Sequence, residues 1–407
     1  MTRFHYWTRR VAAVLVGLVF FVAGSLKLMD PVGAGLVCAE YFKFFCLAFL
    51  VPASKWIGVI LALLEAVTGV GLITGVFRKS FAIVASTLVG LFTILTFILW
   101  IKNPSFDCGC FGEAIHLSHG QTLVKNLILL ALSAWAFIPF HGFGTWRGGK
   151  MIPFFLVCAA LAGITIRSWL YMPFKDFTPF VYSSRLLAAE MDNPDSGEAD
   201  FVTVFIYEKD GLQDSFTGDQ LPDSTWTFVR SEAMAKEDNY LQNSYPELAF
   251  TDACGEFCDY MATGESVLVC SVYEPSSMSV SRWKRTSEFL EDALEFGFTP
   301  LLLVTAEPGS DFLPAELDSK DAMLLTESAY VSPYRTLVSL NRSNGGVTYF
   351  NEGDLVRKWP ARKLPSRSDL QDISLSDTTA VTISAQTRGS IHFQAFFLYS
   401  LAVLFLL

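Results

Sequence analysis

The fold class predicted is an α-helical membrane bundle followed by a water-soluble α/β domain and a last membrane span. Three observations carry it. Hydrophobic residues make up 52% of the 407-residue chain and charged residues only 17%, against about a quarter charged in an ordinary soluble protein. Five apolar runs are each long enough to cross a hydrocarbon core of about 30 Å at about 1.5 Å per helical residue. Charge is also segregated: the chain before Met172 holds 13 Lys/Arg against 5 Asp/Glu, whereas Met172 to Thr387 holds 16 against 35. A mildly basic membrane module thus precedes an acidic soluble part. Membrane lipid is the expected surroundings of the first. Neither part has the basic stripe that nucleic acid requires, so that partner class is set aside.

Residues 1–10 form a basic, aromatic lead-in to the first apolar run, 11–28. That run also fits a signal peptide, with Val22-Ala23-Gly24 as small residues for cleavage, but the spans behind it favour a retained helix. Between Asp30 and Ser54 the chain is Gly-rich and then aromatic through Glu40-Tyr41-Phe42-Lys43-Phe44-Phe45, which suits a helix lying in the membrane interface. Residues 56–76, 80–101, 122–140 and 151–171 are the second to fifth spans. Glu65 falls in the middle of the second and Lys27 near the outer end of the first. A charge there costs about 2.5–3.5 kcal/mol on insertion scales, so Glu65 should face the bundle interior or a polar partner. It reads either as part of a buried structural pair or as a proton acceptor beside a hydrophobic cofactor.

Basic residues set the orientation. Arg3, Arg9 and Arg10, then Arg78 and Lys79, then Arg147 and Lys150 fall on one side, the cytoplasmic one, although Lys43, Lys55, Lys102 and Lys125 run against the count. The loop before the fourth span, the region of Cys38 and Cys46, and everything after Tyr171 then face outward, where disulfides persist.

That loop holds Asp107-Cys108-Gly109-Cys110-Phe111-Gly112. A disulfide needs its Cα atoms about 4.4–6.8 Å apart, which an i, i+2 pair meets only if the backbone bends, and Gly109 permits the bend. So small a ring should be strained, and strained disulfides are the labile or catalytic ones. Alternatively the pair is a structural bridge, or a soft-metal site for Cu(I) that His116 and His119 could extend. Asp107 should raise the thiol pKa of its neighbour unless a cation compensates, and Lys102 is the nearest in sequence.

Residues 172–200 form a linker rich in Asp, Glu, Ser, Pro and Gly. Residues 201–207 and 226–229 read as strands, with a turn at Glu208-Lys209-Asp210-Gly211. Cys254 and Cys258 would lie one turn apart if helical, as a local disulfide or two separate thiols. Strand 266–273, helix 281–296 and strand 299–305 make a βαβ unit. Residues 347–350 and 355–359 form a closing hairpin about Asn351-Glu352-Gly353-Asp354, and 391–407 is a last apolar run.

Residues 21–31 (FVAGSLKLMDP), 64–70 (LEAVTGV), 103–113 (NPSFDCGCFGE) and Lys125-Asn126 resemble the MauE/DoxX family of bacterial redox-associated membrane proteins, over residues 10–140. The most specific block is the CGCFG signature. The soluble part resembles a thioredoxin-like domain along residues 205–211, 222–229 and 340–346. With the apolar runs and the charge segregation, the resemblance divides the chain into four parts: a four-helix core over 1–140, which the family implies, one further span over 141–171, an extracytoplasmic acidic domain with a β-hairpin region and a degenerate thioredoxin-like fold over 172–387, and a C-terminal span over 388–407. Two departures stand out. No cysteine lies near Pro275-Ser276-Ser277-Met278, where the active pair of a thioredoxin fold is expected, and Gly345 replaces the proline expected before the hairpin. The soluble domain is therefore expected to bind or dock.

The resemblance also implies an inner-membrane protein with a large periplasmic domain, in which Cys108 and Cys110 exchange disulfides with a periplasmic protein client. In the MauE branch this is linked to methylamine utilisation. Cys38 and Cys46 are candidate partner thiols, and a quinone is the candidate electron acceptor by analogy. A non-enzymatic assembly factor or scaffold, and soft-metal handling, are the alternatives.

Overall fold

The structure, a computed structural model, describes residues 3–104, 106, 108–138, 150–191, 201–209, 212–217, 227–235, 245–306 and 311–376, with scattered residues beyond. The chain divides into two units, one built on residues up to Thr178 and the other on Pro179–Lys358.

In the first unit six helices follow one another: α1 (Arg3–Met29), α2 (Pro31–Phe44), α3 (Ser54–Thr74), α4 (Arg78–Lys102), α5 (His119–Phe137) and α6 (Met151–Leu170). Five are long and apolar enough to cross a membrane, α3 being extended backward by a 3₁₀ turn from Ala48. Their outward faces carry exposed Ile60, Ile94, Ile128 and Leu156, the composition that lipid requires. This is a multi-pass membrane protein. The helix expected between Asp30 and Ser54 is α2, too short to span. Asp30 caps it by accepting the Gly33 N–H at 3.0 Å, with Pro31 at its first position.

Small residues decide how closely α1 and α3 approach. A Cβ on Gly69 would lie 2.4 Å from the Phe21 nitrogen, and one on Gly24 would lie 2.5 Å from the Ala66 nitrogen. The two backbones therefore touch, which is how membrane helices gain dispersion energy without a hydrophobic drive between them. The basic lead-in has a packing role too. Arg9 Nε donates to the Ala136 carbonyl at 3.1 Å, and Arg10 donates to the carbonyls of Leu72, at 2.7 Å, and Ile73. Guanidinium groups thus satisfy the free carbonyls at the C-terminal ends of α5 and α3. Between α4 and α5, Asn126 Nδ2 donates to Thr96 Oγ1 at 3.1 Å.

The second unit opens with the short helix α7 (Leu187–Met191), after which β2 (Phe201–Lys209), β3 (Leu212–Thr217) and β4 (Thr227–Ala235) form an antiparallel sheet in the order β3-β2-β4; the short strand β1 (Cys110–Glu113) belongs to the first unit. A five-stranded sheet follows in the order β7-β6-β5-β8-β9. Its centre is β5 (Val267–Val272), buried throughout. The helix α8 (Val280–Glu295) crosses from β5 to β6 (Thr299–Val304), which lies parallel with Cys270 opposite Leu302. The face of α8 carrying Trp283, Phe289 and Leu290 is buried. Beyond them come β7 (Ala329–Val331), parallel to β6, then β8 (Gly346–Asn351), antiparallel to β5, and β9 (Asp354–Trp359). Glu352 and Gly353 both take positive φ, 51° and 80°, giving the expected hairpin a type I′ turn. Cys254 and Cys258 are not helical: they sit in a turn where Thr251 bridges Phe257. The expected C-terminal span lies largely outside the described residues.

Candidate functional site

The cysteine loop is fixed at both ends. α4 ends on Asn103 in the left-handed region, φ 43°, with its N–H on the Leu99 carbonyl at 2.7 Å. α5 begins at a capping box between Ser118 and Gln121. His119 Nε2 donates to the Phe106 carbonyl at 3.0 Å, so this histidine holds the loop. The Phe106 ring meets Tyr41 and Phe44 of α2 edge to face, at 5.6 and 5.7 Å. Gly109 has φ 61°, and a Cβ there would lie 2.4 Å from Val37 Cγ1; only glycine lets the loop lie this close on α2. Asp107 lies outside the described residues.

These contacts place the Cys108 and Cys110 sulfurs 3.2 Å apart as two free thiols. Cys108 is buried, 4% exposed, and Cys110 half-buried. The Tyr41 hydroxyl donates to the Cys108 carbonyl at 2.8 Å and lies 3.4 Å from its sulfur. Both cysteines open onto a cavity of about 270 Å³ inside the bundle. Phe20, Leu61, Phe92 and Leu129 are among its apolar walls, and Lys27, Glu65, Cys38, Tyr41, Lys125 and Asn126 add polar atoms. Lys27 Nζ stands 2.8 Å from both Glu65 oxygens, with those side chains 13% and 2% exposed.

The two thiols are electrostatically unlike. A hydrogen bond from Cys108 favours the Cys110 thiolate; burial opposes it, but Lys125 and Lys27 add positive charge, and the Cys110 pKa falls to about 6. The Cys108 thiol is pushed far up, because it gives that hydrogen bond and is buried beside the resulting anion. Burial also raises Cys38, although Lys27 pulls it down.

The structure therefore gathers Lys27, Glu65, Cys38, Cys108 and Cys110 about one cavity. It leaves out Cys46, exposed beyond the end of α2. The cation beside the pair is Lys125 of α5, whose Nζ also stands 4.7 Å from the Phe111 ring centroid; Lys102 is exposed at the end of α4. Sequence proximity pointed to Lys102; Lys125 stood out only within the Lys125-Asn126 block of the family resemblance, and the facing of α5 is what brings it to the cavity. Among the described residues, no group of three or more His, Cys, Asp or Glu side chains is arranged to hold a metal ion.

Fold and site together define a multi-pass membrane protein with a cysteine pair at the mouth of an intrabundle cavity. Residues 6–139, most of the membrane bundle, match the family described as methylamine utilisation protein MauE. Residues 201–237, the three-stranded sheet, match a domain of unknown function, DUF8463. No curated protein and no solved structure matches the chain.

Proposed function

We propose that the membrane bundle is a thiol–disulfide oxidoreductase whose working pair is Cys108 and Cys110. The observation that carries this reading is the pair itself: two sulfurs 3.2 Å apart, one favoured as thiolate and one as thiol, at the rim of an apolar cavity. In the oxidised pair, a client thiolate attacks Cys108 Sγ, the S–S bond breaks, and Cys110 leaves as the stabilised thiolate, since the sulfur of lower pKa leaves faster. A second client thiolate then attacks the client sulfur of the mixed disulfide. The client leaves oxidised and the pair reduced.

The cavity fits a quinone. Its walls are apolar, and Lys27, with two N–H groups on Glu65, keeps a third donor for a carbonyl oxygen. Such a group would supply a two-electron sink for the reduced pair. The basic residues at the N-terminus and before α4 favour a cytoplasmic position for that side, so the cysteine loop and the acidic domain face the periplasm of the bacterial inner membrane. In the acidic domain, the order β6-β5-β8-β9, the crossover helix α8 and the closing hairpin support a thioredoxin-like reading. Residues 274–279, ahead of α8, hold no cysteine, which favours client docking as the domain's role.

Single-serine variants test the exchange. With a disulfide-bonded peptide, which runs the exchange in reverse, the Cys108 thiolate of Cys110→Ser should displace one peptide sulfur as a free thiolate and accumulate as a reductant-sensitive mixed disulfide. No adduct on either Cys110→Ser or Cys108→Ser, in protein that still assembles in the membrane, would leave the pair a structural tie and the chain a scaffold.

A further inference from the structure

Resting on that reading of the pair, we propose that Lys125 is a positioning residue. Its ammonium, brought by α5 to the cavity that Cys110 lines, keeps the Cys110 sulfur a thiolate in the reduced pair, so that the couple takes up one proton for two electrons. Cys108 carries that proton.

The geometry supports this assignment from several sides. Lys125 and Cys110 line the same cavity, and Lys125 Nζ lies 4.7 Å from the ring centroid of the next residue, Phe111. The other charged or titratable groups facing Cys110 do not replace it. Lys27 from α1 also adds positive charge at Cys110, but it is tied to both oxygens of Glu65 from α3. From α2, Cys38 and Tyr41 are neutral at neutral pH, each raised by burial. Cys108 gives a hydrogen bond but no charge.

The stoichiometry balances. A client dithiol and the Cys108–Cys110 disulfide become a client disulfide, a Cys108 thiol, a Cys110 thiolate and one free proton. Two electrons pass from client to pair, and no other reactant is needed. The sign with pH follows from Cys110 being depressed to about 6 and Cys108 being raised. Above pH 6 and below the Cys108 pKa, reduction consumes one proton; as pH falls through 6 it consumes two. One proton changes the two-electron equilibrium tenfold per pH unit, which is about 30 mV, and two protons about 59 mV.

The test is the midpoint potential of the full chain in nanodiscs, poised in dithiothreitol or glutathione buffers at several pH values between 6.5 and 8.5 and read by maleimide mass-tagging. The wild type should change tenfold per unit. Lys125→Gln and Lys125→Met should change a hundredfold per unit until a higher pH, and Lys125→Arg should restore the tenfold slope. A hundredfold slope in the wild type overturns the proposal without any variant, as does a tenfold slope that persists in Lys125→Gln or Lys125→Met. A pair that never exchanges with the buffers would instead sink the oxidoreductase reading on which this rests.

Discussion

At the scale of single residues, the Lys27–Glu65 pair shows how much of a site can be buried when its charges meet. Each charge alone is costly in the bundle, and together they form a two-point contact at 2.8 Å. Breaking a buried pair leaves an orphan charge and costs about 3–5 kcal/mol, whereas neutralising both partners is often close to neutral. Lys27→Met should therefore lower the bundle's stability by about that amount, and Lys27→Met with Glu65→Gln should recover most of it, as read by thermal unfolding in detergent. Equal losses in the single and double variants would mean that the pair contributes nothing through its charges. Glu65 and Lys27 were legible in the sequence because charge inside an apolar run is conspicuous. Their pairing was not, since it joins residues 38 positions apart. Lys125 was missed for a related reason. A cation at the edge of an apolar helix reads as an interfacial anchor, and the chain alone does not say which way α5 turns.

At the scale of elements, hydropathy over a span-length window is a strong signal: α3, α4, α5 and α6 begin and end within a turn of the apolar runs, whereas α1 starts at Arg3 and takes in the basic lead-in before residue 11. The βαβ unit and closing hairpin were also legible: β5 and β6 are continuous apolar strands, and Asn-Glu-Gly-Asp is a turn sequence. The polar elements β3 and α9 (Ser319–Glu327) and the three-residue strand β7 carry little periodicity and were not. The close approach of α1 and α3 was hidden because glycine in a membrane span has several uses. It yields a prediction at this scale. Gly69→Ala would place a methyl 2.4 Å from the Phe21 nitrogen, whereas Gly90→Ala in α4 meets nothing within 4 Å. The first should lose about 1–3 kcal/mol or more by forcing the backbones apart, and the second should leave the unfolding temperature essentially unchanged. Similar losses in both would show that the α1–α3 seam does not depend on its small residues.

At the scale of the whole molecule, the contrast between a mildly basic apolar part and an acidic soluble part corresponds to the two units of the structure. The first unit holds a reactive pair and an apolar cavity; the second has Cys270 buried in its central strand and Cys254 and Cys258 in a turn. This division motivates a reading in which the bundle performs exchange and the outer domain holds the client. The most direct measurement is the redox state of Cys108 and Cys110 in native membranes, trapped with a mass-shifting maleimide, with and without a client dithiol and an added quinone. The account predicts a pair that is oxidised at rest, reduced by the dithiol and reoxidised when quinone is supplied. A pair whose state never changes under any of these conditions would contradict it.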